Sequence, residues 1–183
     1  MTQSKKAEGI CICGLNGSGK TTLGHMLAEA LQVLHMDVES YYFPKDESVP
    51  YSNPRTRDEV CRLLAEDMAR CPKFVFSAVN GDFGEEINAH YRCVIYLSAP
   101  QEIRMDRIRE RSRAQFGLRV APGGDMYEQE LAFWNFAAQR TPEKVEAWLA
   151  TLSCPILKLD GRRSLQRNVE TICEFLRTDS QHV

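Results

Sequence analysis

The chain has 183 residues, of which 43% are hydrophobic and 26% charged, and its net charge is −2. That length suits one domain with a substantial core, and the near-neutral charge gives no general reason to expect nucleic acid or an anionic membrane as partner. No apolar run approaches the roughly 20 residues that cross a bilayer.

The N-terminus, Met1 to Glu8, is polar and lacks the apolar segment of a signal peptide. Seven scattered cysteines, an odd number without a Cys-x-x-Cys pair, fit reduced thiols in a cytoplasmic protein. With only four histidines, far apart, a zinc site is not expected. Ile10-Cys11-Ile12-Cys13, bounded by Gly9, reads as a buried strand. Gly14-Leu15-Asn16-Gly17-Ser18-Gly19-Lys20-Thr21 then meets every fixed position of G-x-x-x-x-G-K-[ST]. Leu23, Met26, Leu27, Ala30 and Leu31 recur behind it at helical spacing. Strand, glycine-rich turn and helix are the context that makes this motif a triphosphate site. The glycines let backbone N–H groups approach phosphate oxygens, and the helix N-terminus adds the positive end of its dipole. The pattern assigns nucleotide contacts to Gly14, Asn16, Gly17, Ser18, Gly19, Lys20, Thr21 and Thr22. Lys20 is expected to reach the β- and γ-phosphates and the Thr21 hydroxyl to ligate Mg²⁺.

Val33 to Asp37 reads as a second strand, and Asp37 to Val49 as a loop carrying Glu39, Tyr41, Tyr42 and Phe43. Thr56 with Glu59 forms a capping box for a helix whose apolar stripe is Val60, Leu63, Leu64 and Met68. Lys73 to Val79 is a third strand, followed by the turn Asn80-Gly81-Asp82-Phe83-Gly84, and Cys93 to Leu97 is a fourth. An arginine-dense helix from Arg104 to about Gln115 leads into a loop that closes at Gly123-Gly124. Asp125 with Glu128 is expected to cap an aromatic helix containing Tyr127, Phe133, Trp134 and Phe136. Thr141-Pro142 opens the next helix, with Val145, Trp148, Leu149 and Leu152 as its stripe. Ile156 to Asp160 is a fifth strand, Gly161 turns, and Leu165, Val169, Ile172, Cys173 and Leu176 mark a final helix. Alternating helices and apolar strands predict an α/β protein with a parallel sheet covered on both faces.

With these elements in place, the chain resembles the P-loop kinases of small molecules, the nucleoside-monophosphate-kinase-like group that includes adenylate, shikimate, gluconate and uridine kinases. The resemblance rests on Gly14–Thr21, the acids after the second strand, the Arg104–Arg111 stretch and Leu159-Asp160-Gly161 before a helix. It implies a three-layer P-loop NTPase fold with five parallel strands in the order 2-3-1-4-5. It also implies one domain over 1–183, an acceptor-binding segment over about 38–72 and a lid over about 112–126. Gly161 would belong to the adenine-side loop.

Asp37-Val38-Glu39 sits where shikimate kinase-like members carry an Asp-x-Asp pair, from which the glutamate departs, and where uridine kinase-like members carry an acid before an aromatic pair. At the carboxyl end of a strand, Asp37 either holds Mg²⁺ through water or accepts a proton from an acceptor hydroxyl, with Glu39 on the substrate; otherwise both begin a solvated loop. Asp82 is a looser candidate for the metal, or a turn residue. Asn80 and Gly81 would line the acceptor pocket. Arg104, Arg107 and Arg111 share a helix face. The resemblance makes Arg107, Arg111 and Arg119 lid contacts to the transferred phosphoryl group, with Arg140 a further candidate, while some of these arginines pair with Asp106 and Glu110 on a solvated helix. Arg55 and Arg57 would grip an anionic group on the acceptor. Tyr41, Tyr42, Phe43 and Tyr51 either stack on an acceptor ring or fill the loop.

The expected activity is ATP- and Mg²⁺-dependent phosphoryl transfer to a small molecule, a hydroxyl compound or a nucleoside-monophosphate-like one, by a cytoplasmic monomer or homodimer that needs no membrane or nucleic acid. An ATP-driven switch module is the alternative from another class, although the sequence offers no extra domain for its apparatus. A nucleic-acid end kinase is disfavoured by the acidic balance.

Overall fold

The computed structural model describes residues 8–43 and 53–179, so Tyr51 and most of the segment after Phe43 lie outside the described residues. The chain runs β1 (Gly9–Cys13), α1 (Lys20–Leu31), β2 (Leu34–Asp37), α2 (Val38–Tyr42), α3 (Arg57–Arg70), β3 (Phe74–Ala78), α4 (Glu85–Asn88) and β4 (Tyr91–Ser98). It continues with α5 (Gln101–Phe116), a 3₁₀ turn (Gly117–Val120), α6 (Tyr127–Gln139), α7 (Glu143–Leu149), β5 (Ile156–Asp160) and α8 (Leu165–Asp179). The five strands form one parallel sheet in the order β2-β3-β1-β4-β5, as the resemblance implies.

Strand alternation divides the core between the two faces of the sheet. Ile10, Ile12, Val75, Ile95 and Leu97 face α1 and α8, where Leu23, Leu27, Val169 and Ile172 cover them. Cys11, Cys13, Phe74, Phe76, Val94 and Tyr96 face the opposite layer, covered by Val60, Leu64 and Met68 of α3 and Val145, Trp148 and Leu149 of α7. Every residue of β1 is buried, which is the reason its sequence is apolar throughout rather than alternating. A separate cluster of Met105, Ile108 and Ala137, with Phe133 and Trp134 against it, joins α5 to α6.

Local differences from the sequence expectations have local causes. Val38–Tyr42 is a helix rather than loop, because the Asp37 carboxylate caps it by accepting a hydrogen bond from Glu39 N at 3.0 Å. Thr56 and Glu59 form the expected capping box. Asp125 does not cap α6; its carboxylate is taken by Arg119, and α6 starts without a side-chain cap. The short α4 lay beyond the reach of sequence periodicity, and α7 stops at Leu149, leaving Leu152 packed beyond its end.

Beneath α1, His35 Nε2 lies 2.9 Å from Ser77 Oγ, which itself donates to Lys20 O at 3.3 Å. Burial first, and then the neighbouring His25 ring 4.1 Å away, push the His35 pKa down to about 4, against the opposing charge of Asp37. Between about 4 and 6.5 the unfolded chain therefore binds a proton at His35 that the folded chain refuses, so stability rises with pH across that window and is lost as pH falls. The unfolding free energy from urea titrations should fall by on the order of 1 kcal/mol from pH 7 to pH 5, a discounted figure for a partly exposed ring. The His35→Gln variant should lose most of that slope; an unaltered slope would contradict the assignment.

Candidate active site

β1 ends at Cys13 and the chain turns through Gly14–Gly19 directly into α1, so the first turn of that helix presents N–H groups that no helical carbonyl can reach. Gly17 and Gly19 adopt φ of 79° and 99°, in the left-handed region, and a Cβ on Gly17 would stand 2.3 Å from Arg104 O. Only glycine serves there. The loop is braced from α5: Arg104, 4% exposed, donates to Asn16 O at 3.1 Å, and Arg107 donates to Ser18 O at 3.2 Å and Gly161 O at 2.9 Å. Gly161 is in turn seated on the loop, since a Cβ there would stand 2.7 Å from Ser18 O.

Lys20 is 8% exposed at the floor of a cavity of about 580 Å³. Burial is the largest influence on its ammonium and lowers its pKa; Glu39 and Asp37 oppose this, while Arg111 and Arg140 reinforce it. Two carboxylates and two guanidiniums thus act on one lysine. Arg140 donates to Asn16 Oδ1 at 2.9 Å and lies 4.6 Å over the Phe136 ring, with its own pKa lowered by burial. The cavity is also lined by Asn16, Tyr42, Phe43, Arg57, Asn80, Asp82 and Phe83 on the side of β2 and β3. Opposite them stand Ser112, Gln115 and Phe116 of α5, and Gln129, Glu130, Phe133 and Phe136 of α6.

Other expected site residues are engaged elsewhere. Arg55 donates to Tyr41 O at 2.8 Å and does not line the cavity. Arg57 lines it, but its guanidinium donates to Asp82 O at 2.9 Å and sits 5.7 Å over Phe83. Gly81 is packed between Cys11 and Trp148 instead of facing the acceptor space. Asp82 closes the local turn, its Oδ1 accepting from Gly84 N at 3.3 Å, and Asn80 Oδ1 accepts from Asp82 N at 3.0 Å. Arg119 makes a bidentate pair with Asp125, at 2.6 Å for the closest contact, and does not line the cavity. The cavity wall from α6 was missed by sequence reasoning, although Gln129, Glu130, Phe133 and Phe136 recur at the spacing of one helix face; Arg140, just beyond the helix, was a candidate.

The residues present fit a triphosphate with Mg²⁺. Ser18 Oγ is buried without a hydrogen-bond partner, and Lys20 forms no ion pair among the described residues. Both stand where the loop leads into the first turn of α1, and a bound oxyanion is the kind of partner such donors lack. Among the described residues no group of three His, Cys, Asp or Glu could hold a metal. Mg²⁺ bound beside phosphates takes only one or two protein oxygens, which Thr21 and Asp37 can supply. A second depression of about 470 Å³, between Ser98–Pro100 and Lys158–Arg162, adjoins Gly161; there Arg162 holds Asp160 down at about 2.

A three-layer α/β sheet with a glycine-rich loop and buried lysine at the end of its central strand defines a P-loop nucleotide-binding protein. A family model described as an AAA domain matches residues 10–116, and the chain belongs to that family. The uncharacterized protein YqaC of Bacillus subtilis (strain 168) is 30% identical over 181 residues, covering 92% of this chain and 97% of its own length. Shikimate kinase of Enterococcus faecalis (strain ATCC 700802 / V583) is 27% identical over 146 residues, 73% of this chain and 87% of that protein. The solved shikimate kinase of Aquifex aeolicus superposes with a TM-score of 0.57 at 18% identity, over 94% of this chain and 98% of that one. The fold is therefore that of the small-molecule P-loop kinases.

Proposed function

We propose that the protein transfers the γ-phosphoryl group of ATP to a hydroxyl group of a small metabolite. The observation that carries this reading is that Lys20, at the end of the phosphate loop, and Asp37, at the end of β2, line one cavity large enough for a second substrate. An ATP-driven switch would have no use for that space. The amides of Gly17 to Thr22 and Ser18 Oγ would hold the phosphates, with the nucleoside toward Gly161 and the second depression. Mg²⁺, held by Thr21 and by Asp37 through water, would neutralise phosphate charge when bound. Lys20, Arg111 and Arg140 stabilise the equatorial oxygens of the moving group, since phosphoryl transfer is chiefly positioning and electrostatics. Asp37 receives the proton as the acceptor oxygen bonds to phosphorus, and the bond to the β–γ bridging oxygen breaks to release ADP. Residues about 112–126 serve as a lid that excludes water. The relatives named shikimate kinase and the solved gluconokinase of Sinorhizobium meliloti 1021 support phosphotransfer without fixing the acceptor.

A panel of hydroxy acids, polyols, amino alcohols and nucleosides, offered with ATP and Mg²⁺ in an ADP-release assay, tests the proposal. One class should raise turnover by at least about 10²-fold over the background hydrolysis. Slow turnover indifferent to every acceptor would favour the ATPase switch instead.

A further inference from the structure

Glu130 is a charged residue buried to 6% exposure in the wall of the acceptor cavity. One of its carboxylate oxygens, Oε2, meets Ser112 Oγ, and that hydroxyl also receives Trp134 Nε1–H at 3.2 Å. Glu130 forms no ion pair among the described residues, and Oε1 has no hydrogen-bond donor of its own. Ser112 lies 3.1 Å from Ile108 O as well, so its single proton is shared between two acceptors. Oε1 is not among the buried unpartnered atoms, so it opens onto the cavity, where a donor on a bound molecule can reach it.

The surroundings indicate what that donor is. Phe116 and Phe133 share this part of the wall, and aromatic faces attract cations. Of the cavity's positive groups, Arg111 and Arg140 act on Lys20, Arg57 is committed to Asp82 O and Phe83, and none forms an ion pair with Glu130 among the described residues. Arg55, the other residue expected to receive an anion, is turned away to Tyr41 O. Among the α5 and α6 residues that line the cavity, Glu130 is the one acid.

Resting on the phosphotransfer reading above, we infer that the acceptor carries a protonated amine, placed on Glu130 between Phe116 and Phe133, with its hydroxyl directed toward Asp37. The acceptor is thus an amino alcohol with an apolar body, and Glu130 is the residue that selects it.

Three probes that share a benzyl alcohol body test this: 4-(aminomethyl)benzyl alcohol, 1,4-benzenedimethanol and 4-(hydroxymethyl)benzoate. Each is titrated by calorimetry into the protein bearing Mg²⁺ and a non-hydrolysable ATP analogue, whose own uptake is measured first. The wild type should bind the amine most tightly and the carboxylate least, with at least a tenfold difference between them. In Glu130→Gln, uptake of the ATP analogue should be unchanged and the amine should lose its advantage over the diol. A carboxylate bound as well as the amine, or an amine preference that survives in Glu130→Gln, would overturn the inference. So would binding of none of the three. The wild-type ranking stands as a test even if the variant fails to fold. Absence of analogue uptake is a distinct failure, which removes the phosphotransfer reading itself.

Discussion

Replacing Lys20 with alanine should reduce phosphoryl transfer by at least about 10²–10³-fold, the scale on which a single preorganised donor to a developing anion acts. The side chain is 8% exposed, its ammonium pKa is lowered by burial, and it forms no ion pair among the described residues. In the unliganded protein that charge is therefore poorly compensated, and its natural counter-ion is the phosphate chain. The consequence separates function from folding. Lys20→Ala and the bulkier Lys20→Met should keep the thermal midpoint of the free protein or raise it, while losing the stabilisation that ATP and Mg²⁺ confer on the wild type. Full turnover in either variant would contradict the assigned role, and a collapsed midpoint without nucleotide would make the lysine a structural residue.

Asp37→Asn should lower kcat by at least about 10², within the range attributed to a positioned general base, while changing ATP affinity by no more than about threefold. The asparagine is informative because it retains the other task of this side chain. Asp37 Oδ1 accepts from Glu39 N, and an asparagine oxygen caps a helix nearly as well as a carboxylate does. Charge is removed and the geometry of α2 kept. Single-turnover measurements with the acceptor found in the panel provide the readout. An unchanged rate would leave Asp37 with the cap alone, and a loss confined to ATP affinity in Mg²⁺ would make it a metal-site residue rather than the base.

The phosphate loop was legible because its requirements are local: glycines for positive φ, a lysine at a fixed offset, and a strand and helix on either side. The sheet order came with the resemblance, and the capping box at Thr56 with Glu59 was readable for the same local reason. What could not be read depended on partners distant in sequence. Arg55, Arg57 and Arg119 carry equal charge in the sequence, yet Tyr41 O, Asp82 O and Asp125 respectively decide where each guanidinium points. Gly81 was expected in the pocket through the resemblance; Trp148, 67 positions later, packs against the face a side chain would need. The α6 wall was hidden differently. Its helical period was plain, but which stripe met the core and which met the cavity depended on how α6 leans on α5 through Met105, Ile108 and Ala137.

Everything assigned to the cavity presupposes that the loop between β1 and α1 embraces a triphosphate. Isothermal calorimetry of the wild-type protein with ATP in excess Mg²⁺ tests this most directly. It should show one nucleotide per chain, with binding lost in Lys20→Ala. No heat from any purine triphosphate at concentrations up to about 1 mM, where even a weak site would be populated, would contradict it.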